Sequence, residues 1–358
     1  MKTADFDFVL PKELIALHPA PVRDHSRLLV LRRDGPLEHR KFYDLTEYLG
    51  AGDMLLLNDT KVFPARVTGS KPAGGEIDLL LVREVDGTGV WEALFRGKYC
   101  GGITVFGDIR AEIWRDAGGG DAGEGTLPPK GYIRFPDMDP SCIRELLWRY
   151  GSMPLPPYIR REPRDEDRER YQTVYAEHQG SIAAPTAGLH FTGELLRRIR
   201  DKGVLTRTLT LHVGTGTFKP VRTERLDEHV MDAEYFEMDA ALPGEILAVK
   251  ERGGRLITVG TTATRAIEGF LSGRYKKCGQ PGANGRKSTL CGHTDIFIYP
   301  GYRFRVVDGL LTNFHLPGST PLMLVSALAG VENIRNAYEN AIAAGYRFFS
   351  YGDAMLIS

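Results

Sequence analysis

The chain has 358 residues, and at roughly 150 residues per domain this length predicts about two domains. Hydrophobic residues make up 42% of the sequence and charged residues 26%, which is typical of a globular protein with a sizeable core. Because 46 basic residues balance 46 acidic ones, the composition argues against a chain coated with positive charge for non-specific nucleic-acid binding, and against an acidic tail.

Targeting signals and cysteines are uninformative about function but restrict the compartment. The N-terminal residues MKTADFDFVLP lack an apolar stretch, and Asn313, His315 and two prolines interrupt the uncharged run 309–331. We therefore expect neither a signal peptide nor a membrane span, and a cytoplasmic location. No C-x-x-C spacing is present, so we expect no zinc site and no disulfide framework, but free thiols at Cys100, Cys142, Cys278 and Cys291.

The first 61 residues mix helix and strand signals. Pro11–Ile15 is typical of a helix start and Arg27–Leu31 of a strand, while Met54–Leu57 predicts a buried strand that ends at Asn58-Asp59-Thr60-Lys61. Short β-type runs separated by glycines then follow from residue 76 to residue 135, about 10–15 residues apart. This spacing predicts a small all-β barrel or sandwich.

From residue 190 onward, helical stretches alternate with apolar strands. The predicted helices are Thr192–Lys202, Pro243–Arg252, Ala263–Leu271, Leu322–Gly330 and Ile334–Ala344. The predicted strands are Leu205–Leu211, Leu256–Val259 and Asp295–Tyr299. The alternation predicts an α/β fold, discontinuous in sequence, with a barrel-like mixed sheet built from residues 1–61 and 152–358. An antiparallel β-barrel domain, 62–151, would be inserted into it, with the proline-rich Met153–Pro157 as the return linker.

Three histidines occur in polar or glycine-rich surroundings at the ends of predicted elements: His190, His212 and His315. The ordinary pKa of histidine, near 6.5, suits proton transfer at neutral pH. The alternative for each is a hydrogen-bonded structural histidine. No pair has the spacing of H-E-x-x-H, so a metal site is not predicted.

A second candidate is the turn between the strand Leu256–Val259 and the helix that follows it. Free N–H groups there, the hydroxyls of Thr261 and Thr262 and the guanidinium of Arg265 could hold a carboxylate or a phosphate. The turn lacks the nucleotide-binding glycine spacings, and the threonines could simply cap the helix. Asp59 follows a wholly apolar strand, where α/β sheets hold their ligands, although a plain Asn-Asp turn is the alternative.

Charge is distributed unevenly along the chain. The window 273–305 carries seven basic residues against one acidic residue, Asp295, and it also contains aromatic residues, among them Phe297, Tyr299, Tyr302 and Phe304. Basic residues interleaved with aromatic ones suit an RNA backbone and unstacked bases. The basic residues are Arg274, Lys276, Lys277, Arg286, Lys287, Arg303 and Arg305.

Several longer motifs together resemble one family. They include Met153-Pro-Leu-Pro-Pro-Tyr-Ile159, Gly180-Ser-Ile-Ala-Ala-Pro-Thr-Ala-Gly-Leu-His-Phe-Thr192, His212-Val-Gly-Thr-Gly-Thr-Phe218, Val259-Gly-Thr-Thr-Ala-Thr-Arg265 and Thr312-Asn-Phe-His-Leu-Pro317. The chain is similar to the S-adenosylmethionine:tRNA ribosyltransferase-isomerases of queuosine biosynthesis (QueA) from Phe8-Val-Leu-Pro11 to its last residues.

The resemblance implies a fold and a reaction. The fold is an α/β domain with an inserted β-barrel. S-adenosylmethionine would donate its ribosyl group to 7-aminomethyl-7-deazaguanine at the wobble position of tRNAs with GUN anticodons (Asp, Asn, His and Tyr types). The products would be epoxyqueuosine-tRNA, adenine and methionine. It also implies a monomer with S-adenosylmethionine as co-substrate, no tightly bound cofactor and no metal. Asp232 stands where the family usually has a second histidine, so we give Asp232 no role.

The site predicted from this resemblance has three parts. The catalytic residues would be His190 and His315, as base or acid, and Asp59. S-adenosylmethionine would be bound by Thr261, Thr262, Arg265, Asp295, Asn313 and His212. The RNA would be bound by Arg274, Lys276, Lys277, Arg303 and Arg305. Two other readings remain open: a non-catalytic tRNA-binding module, and an enzyme that acts on a free nucleotide or sugar phosphate.

Overall fold

The computed structural model describes residues 1–32, 35–85, 88–115, 128–159, 161–214, 221–278 and 288–358. Within these ranges the α-helices are α1 Pro140–Tyr150, α2 Asp167–Arg170, α3 Gly193–Asp201, α4 Leu242–Glu251, α5 Thr261–Leu271, α6 Thr320–Ala329 and α7 Val331–Ala343. Short 3-10 helices cover Thr3–Phe6, Lys12–Leu14, Arg23–His25, Phe42–Tyr48, Thr186–His190 and Leu226–Glu228. None of these helices combines the length and apolar character needed to cross a membrane.

The strands in the same ranges are β1 Arg27–Leu31, β2 Glu38–Lys41, β3 Met54–Asn58, β4 Thr60–Val62, β5 Arg66–Ser70, β6 Glu76–Glu84, β7 Val90–Phe95, β8 Gly101–Val105 and β9 Ile109–Trp114. The remaining strands are β10 Lys130–Arg134, β11 His178–Ser181, β12 Leu205–Leu211, β13 Glu234–Asp239, β14 Leu256–Val259, β15 Lys276–Lys277, β16 Thr289–Thr294, β17 Gly309–Asn313 and β18 Ala354–Ile357.

The chain divides into two compact units, of which the first contains residues 1–61, 172–178 and 184–358. Its ten-stranded sheet has the order β15-β16-β13-β12-β3-β14-β17-β18-β1-β2. Four neighbours, β12, β3, β14 and β17, run parallel to one another. The central strand β3 is buried along its whole length, which explains its unbroken apolar sequence Met54-Leu-Leu-Leu57.

The apolar core of this unit packs against the sheet. Leu55 and Leu57 of β3 cluster with Phe42, Phe191 and Leu195, all of them buried. Helix α3 faces this cluster with its leucines and isoleucine because apolar residues recur along one side of it.

The second unit contains residues 62–171 and 179–183. Six antiparallel strands close into a barrel in the order β10-β7-β6-β5-β8-β9. Side chains of β6 alternate between buried and exposed positions, as expected for a strand with one face in a core. The prediction of a mixed α/β fold with an inserted antiparallel β-barrel is confirmed.

The boundary at residue 61 coincides with the border of the first unit, but the predicted return at residue 152 lies inside the second unit. Ser152 and Arg66 exchange main-chain hydrogen bonds of 2.9 and 3.1 Å. The Arg168 guanidinium donates to the carbonyls of Trp148 and Gly151, both at 2.7 Å. These bonds hold the segment up to residue 171 against the barrel, and sequence patterning gave no sign of them. The domain boundaries stay a prediction.

The predicted strand Asp295–Tyr299 is wrong, because the strand is β16 and it ends at Thr294. Thr294 pairs with Glu234, which is the first residue of the neighbouring strand β13, so the next residues have no partner there. Ile296 and Ile298 are nevertheless buried. The apolar residues that suggested a strand therefore form part of a cavity wall instead.

Candidate functional site

Polar residues converge at the carboxyl edge of the four parallel strands. Asp59 follows β3, His212 follows β12, Gly260 follows β14, and His315 lies two residues after the end of β17. In an α/β sheet this edge is where ligands bind, because loops diverge from it and leave a crevice. The topology thus brings residues that are far apart in sequence to one edge.

Asp59 is 1% exposed and held by several hydrogen bonds. Its Oδ1 accepts from the Thr210 hydroxyl at 2.6 Å, and its main-chain oxygen accepts from the N–H groups of Glu177 and His178 at 2.8 and 3.2 Å. His178 Nε2 lies 3.9 Å from Asp59 Oδ2. Ligand atoms of Asp59, Glu177 and His178 lie within 4.8 Å of one another, so these three residues could hold a metal ion.

Asn58 ties neighbouring strand ends together. Its amide nitrogen donates to Leu211 O at 3.0 Å and to Thr262 Oγ1 at 3.1 Å, while its amide oxygen accepts from the N–H groups of Leu211 and Thr60. The Thr60 hydroxyl in turn lies 2.9 Å from His212 Nδ1. The His212 ring stacks on Tyr235 with the centroids 5.8 Å apart. This network fixes His212 and Thr262 relative to Asp59.

His190 is buried in a hydrogen-bonded chain. Asn313 Nδ2 lies 3.0 Å from its Nε2, and its Nδ1 lies 2.7 Å from the hydroxyl of Ser26. Because the amide donates to Nε2, the ring hydrogen is on Nδ1 and points to Ser26. Burial lowers the pKa of His190 to about 4, with Asp353 acting in the opposite direction. Proton transfer by His190 would require one of these hydrogen bonds to open.

His315 is only half-buried, and its Nε2 lies 2.7 Å from the hydroxyl of Thr312. Its main-chain N–H donates to the Tyr338 hydroxyl at 2.9 Å. Burial lowers the pKa of His315 to about 3, so the ring is neutral at physiological pH. No described residue hydrogen-bonds Nδ1, which leaves that nitrogen able to take part in proton transfer.

Arg265 is a buried cation, with only 7% of its surface exposed. Its Nη1 pairs with the buried carboxylate of Glu234, and its Nε donates to Ile296 O at 3.1 Å. The remaining nitrogen, Nη2, is buried and has no hydrogen-bond partner among the described residues. A guanidinium held on two sides thus keeps one unsatisfied donor for a ligand.

The cavity beside Arg265 is small, with a volume of about 10 Å³, roughly the space of one water molecule. Its polar wall comes from the first turns of α5 and α6, and Gly260, with φ +86°, makes the tight turn into α5. Two helix N-termini and a guanidinium favour an anion, whereas the opposite wall is apolar. The lining residues are Met231, Thr261, Thr262, Arg265, Ile296, Phe297, Ile298, Thr320, Pro321 and Leu324.

Asp295 is not brought into this arrangement. It is exposed, whereas the next residue, Ile296, lines the cavity. Within the described ranges, no hydrogen bond or ion pair joins Asp295 to the other predicted site residues. Thr215–Phe218 of the glycine-rich motif after His212 lie outside the described residues.

The five residues predicted to bind RNA are all exposed and form no ion pair in the part of the chain that the structure describes. Lys276 and Lys277 lie on β15, which is an edge strand of the sheet. Arg303 and Arg305 lie in a loop held by Glu268 of α5, whose carboxylate accepts from the N–H of Arg305 at 2.9 Å. Arg286 and Lys287 lie outside the described residues.

Sequence reasoning missed Asn58, Glu234 and Thr320. Asn58 lies in a segment whose sequence favours a plain turn, and Glu234 is remote in sequence from Arg265, with which it pairs. Thr320 follows Ser319, whose hydroxyl accepts from Leu322 N at 3.4 Å and caps α6. The Ser-Thr-Pro sequence was a usable signal for that helix start.

Three comparisons with known proteins match the same kind of protein over nearly the whole chain. A family model described as queuosine biosynthesis protein matches residues 3–357. An S-adenosylmethionine:tRNA ribosyltransferase-isomerase of Thermodesulfovibrio yellowstonii is 49% identical over 361 residues, which cover 100% of both chains. A crystal structure of the S-adenosylmethionine tRNA ribosyltransferase of Thermotoga maritima is 33% identical with a TM-score of 0.53, covering 99% of this chain and 100% of that one. The matched region includes every residue of the site described above.

Proposed function

The chain belongs to the family of queuosine biosynthesis proteins, and from this premise we propose that it is an S-adenosylmethionine:tRNA ribosyltransferase-isomerase. The family predicted from the sequence motifs is thereby confirmed. In the proposed reaction the ribosyl group of S-adenosylmethionine is transferred to 7-aminomethyl-7-deazaguanine at the wobble position of tRNA and isomerised. The products are epoxyqueuosine-tRNA, adenine and methionine.

The donors that line the small cavity between α5 and α6 are the observation that carries this proposal. The methionine end of S-adenosylmethionine combines a carboxylate with an apolar chain, and the cavity combines Arg265 Nη2 and two helix N-termini with an apolar wall. We place the carboxylate against Arg265, Thr261 and Thr262. Thr320, at the start of α6, joins them as a residue that the sequence did not suggest.

The remainder of the co-substrate is assigned to the carboxyl edge of the parallel strands. The buried carboxylate of Asp59 suits the positive sulfonium, and His212 and Asn313 suit the polar groups of the ribose and adenine. Asp295, which is exposed next to the cavity wall, stays a predicted partner of the ribose from the solvent side.

The chemistry requires a base and an acid. The sulfonium makes the C5′ hydrogens acidic, so removal of one gives an ylide that expels adenine and opens the ribose. The acceptor amine then attacks, and ring closure with loss of methionine leaves the epoxide. Both His190 and His315 are neutral at physiological pH, as a base must be, and His315 has the more available nitrogen.

The tRNA is assigned to the exposed cations Arg274, Lys276, Lys277, Arg303 and Arg305. Their charge is not offset by acidic partners among the described residues, and a phosphate backbone provides the complementary charge. The restriction to GUN anticodons, the monomeric state and the cytoplasmic location are part of this proposal.

One assay separates the proposed activity from the two alternatives. The protein is incubated with S-adenosylmethionine and tRNA that carries the aminomethyl base, with tRNA that has unmodified guanine at position 34 as the control. Adenine and methionine should be released in equal amounts, without methylation, from the modified tRNA alone. RNA binding without adenine release would favour a binding module, and release with the free base alone would favour an enzyme acting on small nucleotides.

A further inference from the structure

Two cysteines of the first unit face each other at the edge of the large sheet. Lys276 pairs with His293 and Lys277 with Gly292, so the antiparallel register places Cys278 opposite Cys291. The Cys278 N–H donates to Cys291 O at 3.2 Å, which extends the pairing by one residue beyond β15. The two thiols are also in hydrogen-bond contact with each other. Strand pairing therefore brings together two sulfur atoms that can be joined by one bond.

The register gives the two backbones the span of a disulfide. Residues that exchange main-chain hydrogen bonds across an antiparallel pair have Cα atoms about 5.5 Å apart, and a disulfide most often spans about 5.5–6 Å between Cα atoms. The Cβ atoms of such a pair lie about 5 Å apart, whereas a disulfide holds them at about 3.8 Å. Cys278 directly follows the two-residue strand β15, so the end of an edge strand takes up this small shift. A disulfide that forms under strain is also more easily reduced, which makes the bond reversible.

The two thiols differ in their access to solvent. Cys278 is partly exposed and Cys291 is buried, so an external oxidant meets Cys278 first. Burial raises the pKa of the Cys278 thiol to about 11, so this thiol is protonated at neutral pH and has to lose its proton before it attacks. Cys278 is therefore the attacking thiol only if a proton acceptor lies beside it.

His293 is placed to accept that proton. Its Nδ1 lies 3.6 Å from Cys278 Sγ, and an imidazole nitrogen is the usual proton acceptor for a thiol in proteins. The Tyr235 ring contacts the His293 ring edge-on, with the centroids 5.5 Å apart, which restricts the orientation of the imidazole. Cys278 thus lies between its proton acceptor and the thiol with which it would bond.

The other two cysteines lack this arrangement. Cys100 and Cys142 are exposed and belong to the second unit, where Cys142 lies on α1. In the described parts of the barrel, no strand pair places a cysteine opposite either of them. They therefore serve as internal references for any reaction of the Cys278–Cys291 pair.

We propose that Cys278 and Cys291 form a reversible disulfide by exchange with a small disulfide such as oxidised glutathione. The Cys278 thiol gives its proton to His293, and the thiolate attacks one sulfur of the oxidant, which releases one glutathione thiol. The thiol of Cys291 then loses its proton and attacks the Cys278 sulfur, which releases the second glutathione thiol. Two protein thiols are oxidised and one glutathione disulfide is reduced to two thiols.

The bond would fasten the end of the edge strand β15 to β16. Lys276 and Lys277 immediately precede Cys278, so the disulfide would restrict the strand that carries two of the cations assigned to RNA. This consequence rests on the proposed function, whereas the disulfide itself depends only on the strand pairing. In a reducing compartment, disulfides of this kind are transient and respond to oxidation.

The test is an equilibration of the reduced, full-length protein with glutathione buffers of increasing oxidised-to-reduced ratio. After acid quenching, free thiols are blocked with N-ethylmaleimide and the protein is digested with trypsin without reduction. Cleavage after Lys277, Arg286, Lys287 and Arg303 separates Cys278, in peptide 278–286, from Cys291, in peptide 288–303. We expect mass spectrometry to find these two peptides linked, about two mass units lighter than their sum, and separated again by dithiothreitol.

Variants distinguish the proposed exchange from general oxidation. Cys278→Ser and Cys291→Ser should each abolish the linked peptides, while the Cys100→Ser/Cys142→Ser double variant should form them as the native chain does. His293→Ala should slow formation of the disulfide about tenfold or more and leave the glutathione ratio at half-oxidation within about twofold of the native value. An effect on that ratio alone, with an unchanged rate, would overturn the role of His293.

Two results would overturn the disulfide itself. One is that both peptides stay blocked by N-ethylmaleimide at the most oxidising ratio, and the other is that each cysteine carries only a bound glutathione. Circular dichroism of the reduced variants verifies that the fold is intact. The experiment contains neither S-adenosylmethionine nor tRNA, so its failure and a failure of the proposed function are distinguishable.

Discussion

Arg265 makes two contacts with the protein and keeps a third nitrogen available. Glu234 and the carbonyl of Ile296 hold the guanidinium in place, and Nη2 remains beside the cavity. The ion pair with Glu234 compensates the charge of the buried guanidinium, so a ligand carboxylate needs to displace no competing acid from Nη2. The planar guanidinium of Arg265 can direct an N–H donor at a ligand carboxylate, whereas the ammonium group of a lysine has no such planar arrangement of donors.

Arg265→Lys should therefore impair co-substrate binding while preserving the charge next to Glu234. We expect the KM for S-adenosylmethionine to rise about tenfold or more, because the directed Nη2 donor is lost. The KM for tRNA should change less than about twofold. Steady-state kinetics with each substrate varied measures both values, and Arg197→Lys on the exposed side of α3 is the control. An unchanged KM for S-adenosylmethionine would remove Arg265 from the proposed site.

Burial of His190 makes the stability of the fold depend on pH. The pKa of His190 in the fold is about 4, below the value of about 6.5 for an exposed histidine, so the unfolded chain binds more protons than the folded one below pH 6.5. Above pH 6.5 His190 is neutral in both the folded and the unfolded chain, so it costs the fold no stability. As the pH falls toward 4, the unfolded chain takes up a proton at His190 that the folded chain does not, and the free energy of unfolding decreases. By pH 5 the loss from this residue should be about 2 kcal/mol.

His190→Ala should accordingly flatten the pH dependence of stability. The variant should be less stable than the native chain at pH 7, because Ser26 and Asn313 lose a buried partner. Its further decline between pH 7 and pH 5 should be about 2 kcal/mol smaller. Urea unfolding at several pH values measures both effects, with the exposed His18→Ala as the control. If the stability of the variant declined as steeply as that of the native chain, His190 would not be the buried, neutral histidine that causes the decline.

At the scale of elements, helix α5 connects two parts of the proposed site. Its first two turns carry Thr261, Thr262 and Arg265, and its third turn carries the buried carboxylate of Glu268. That carboxylate accepts from the N–H groups of Arg305, Val306 and Val307 and from the Tyr302 hydroxyl. One helix thus holds both the cavity and the loop that exposes Arg303 and Arg305.

Glu268→Gln should loosen that loop without disturbing the cavity. An uncharged amide accepts more weakly and points its NH₂ group toward one of the donors, so the loop is held less well. We expect the KM for tRNA to rise about fivefold, with the KM for S-adenosylmethionine within about twofold of the native value. Glu339→Gln, exposed on α7, is the matched control. Equal effects on both KM values would indicate general destabilisation of α5 instead.

At the scale of the whole molecule, zero net charge conceals a local excess. The exposed lysines and arginines assigned to RNA belong to the stretch 274–305, whereas many other surface cations are paired, such as Arg335 with Glu332 and Arg197 with Glu194. Paired charges cancel at a distance and attract a polyanion weakly. A substrate contacted at one loop needs only a local basic surface.

The salt dependence of tRNA binding tests this distribution. Replacing Lys276 and Lys277 together by alanine should reduce the slope of log affinity against log salt concentration by about 1.4, or about 0.7 for each phosphate contact with single-stranded RNA. Filter binding or anisotropy over a series of salt concentrations measures the slope. Arg335→Ala, which removes a paired cation from α7, should leave it unchanged. A native slope in the double variant would place the RNA elsewhere.

The sequence by itself determined the element types, the inserted barrel and the family. These depend on hydrophobic periodicity, glycine punctuation and motifs, all of which are local along the chain. The wrong prediction of a strand over Asp295–Tyr299 shows where local patterns stop being sufficient. The apolar pattern of that segment is typical of a strand, but the pairing with β13 ends at Glu234, so the segment has no neighbouring strand there.

Only the tertiary structure decided which residues meet. The pairing of Arg265 with Glu234, of His190 with Ser26 and Asn313, and of Cys278 with Cys291 depends on strand order and register, which are set by packing between distant segments. For the same reason the burial that lowers the pKa values of the histidines could not be read from their neighbours in sequence. Composition and hydrophobic pattern specify whether a segment forms a helix or a strand. The burial and the hydrogen-bond partners of a side chain depend on how distant segments pack together.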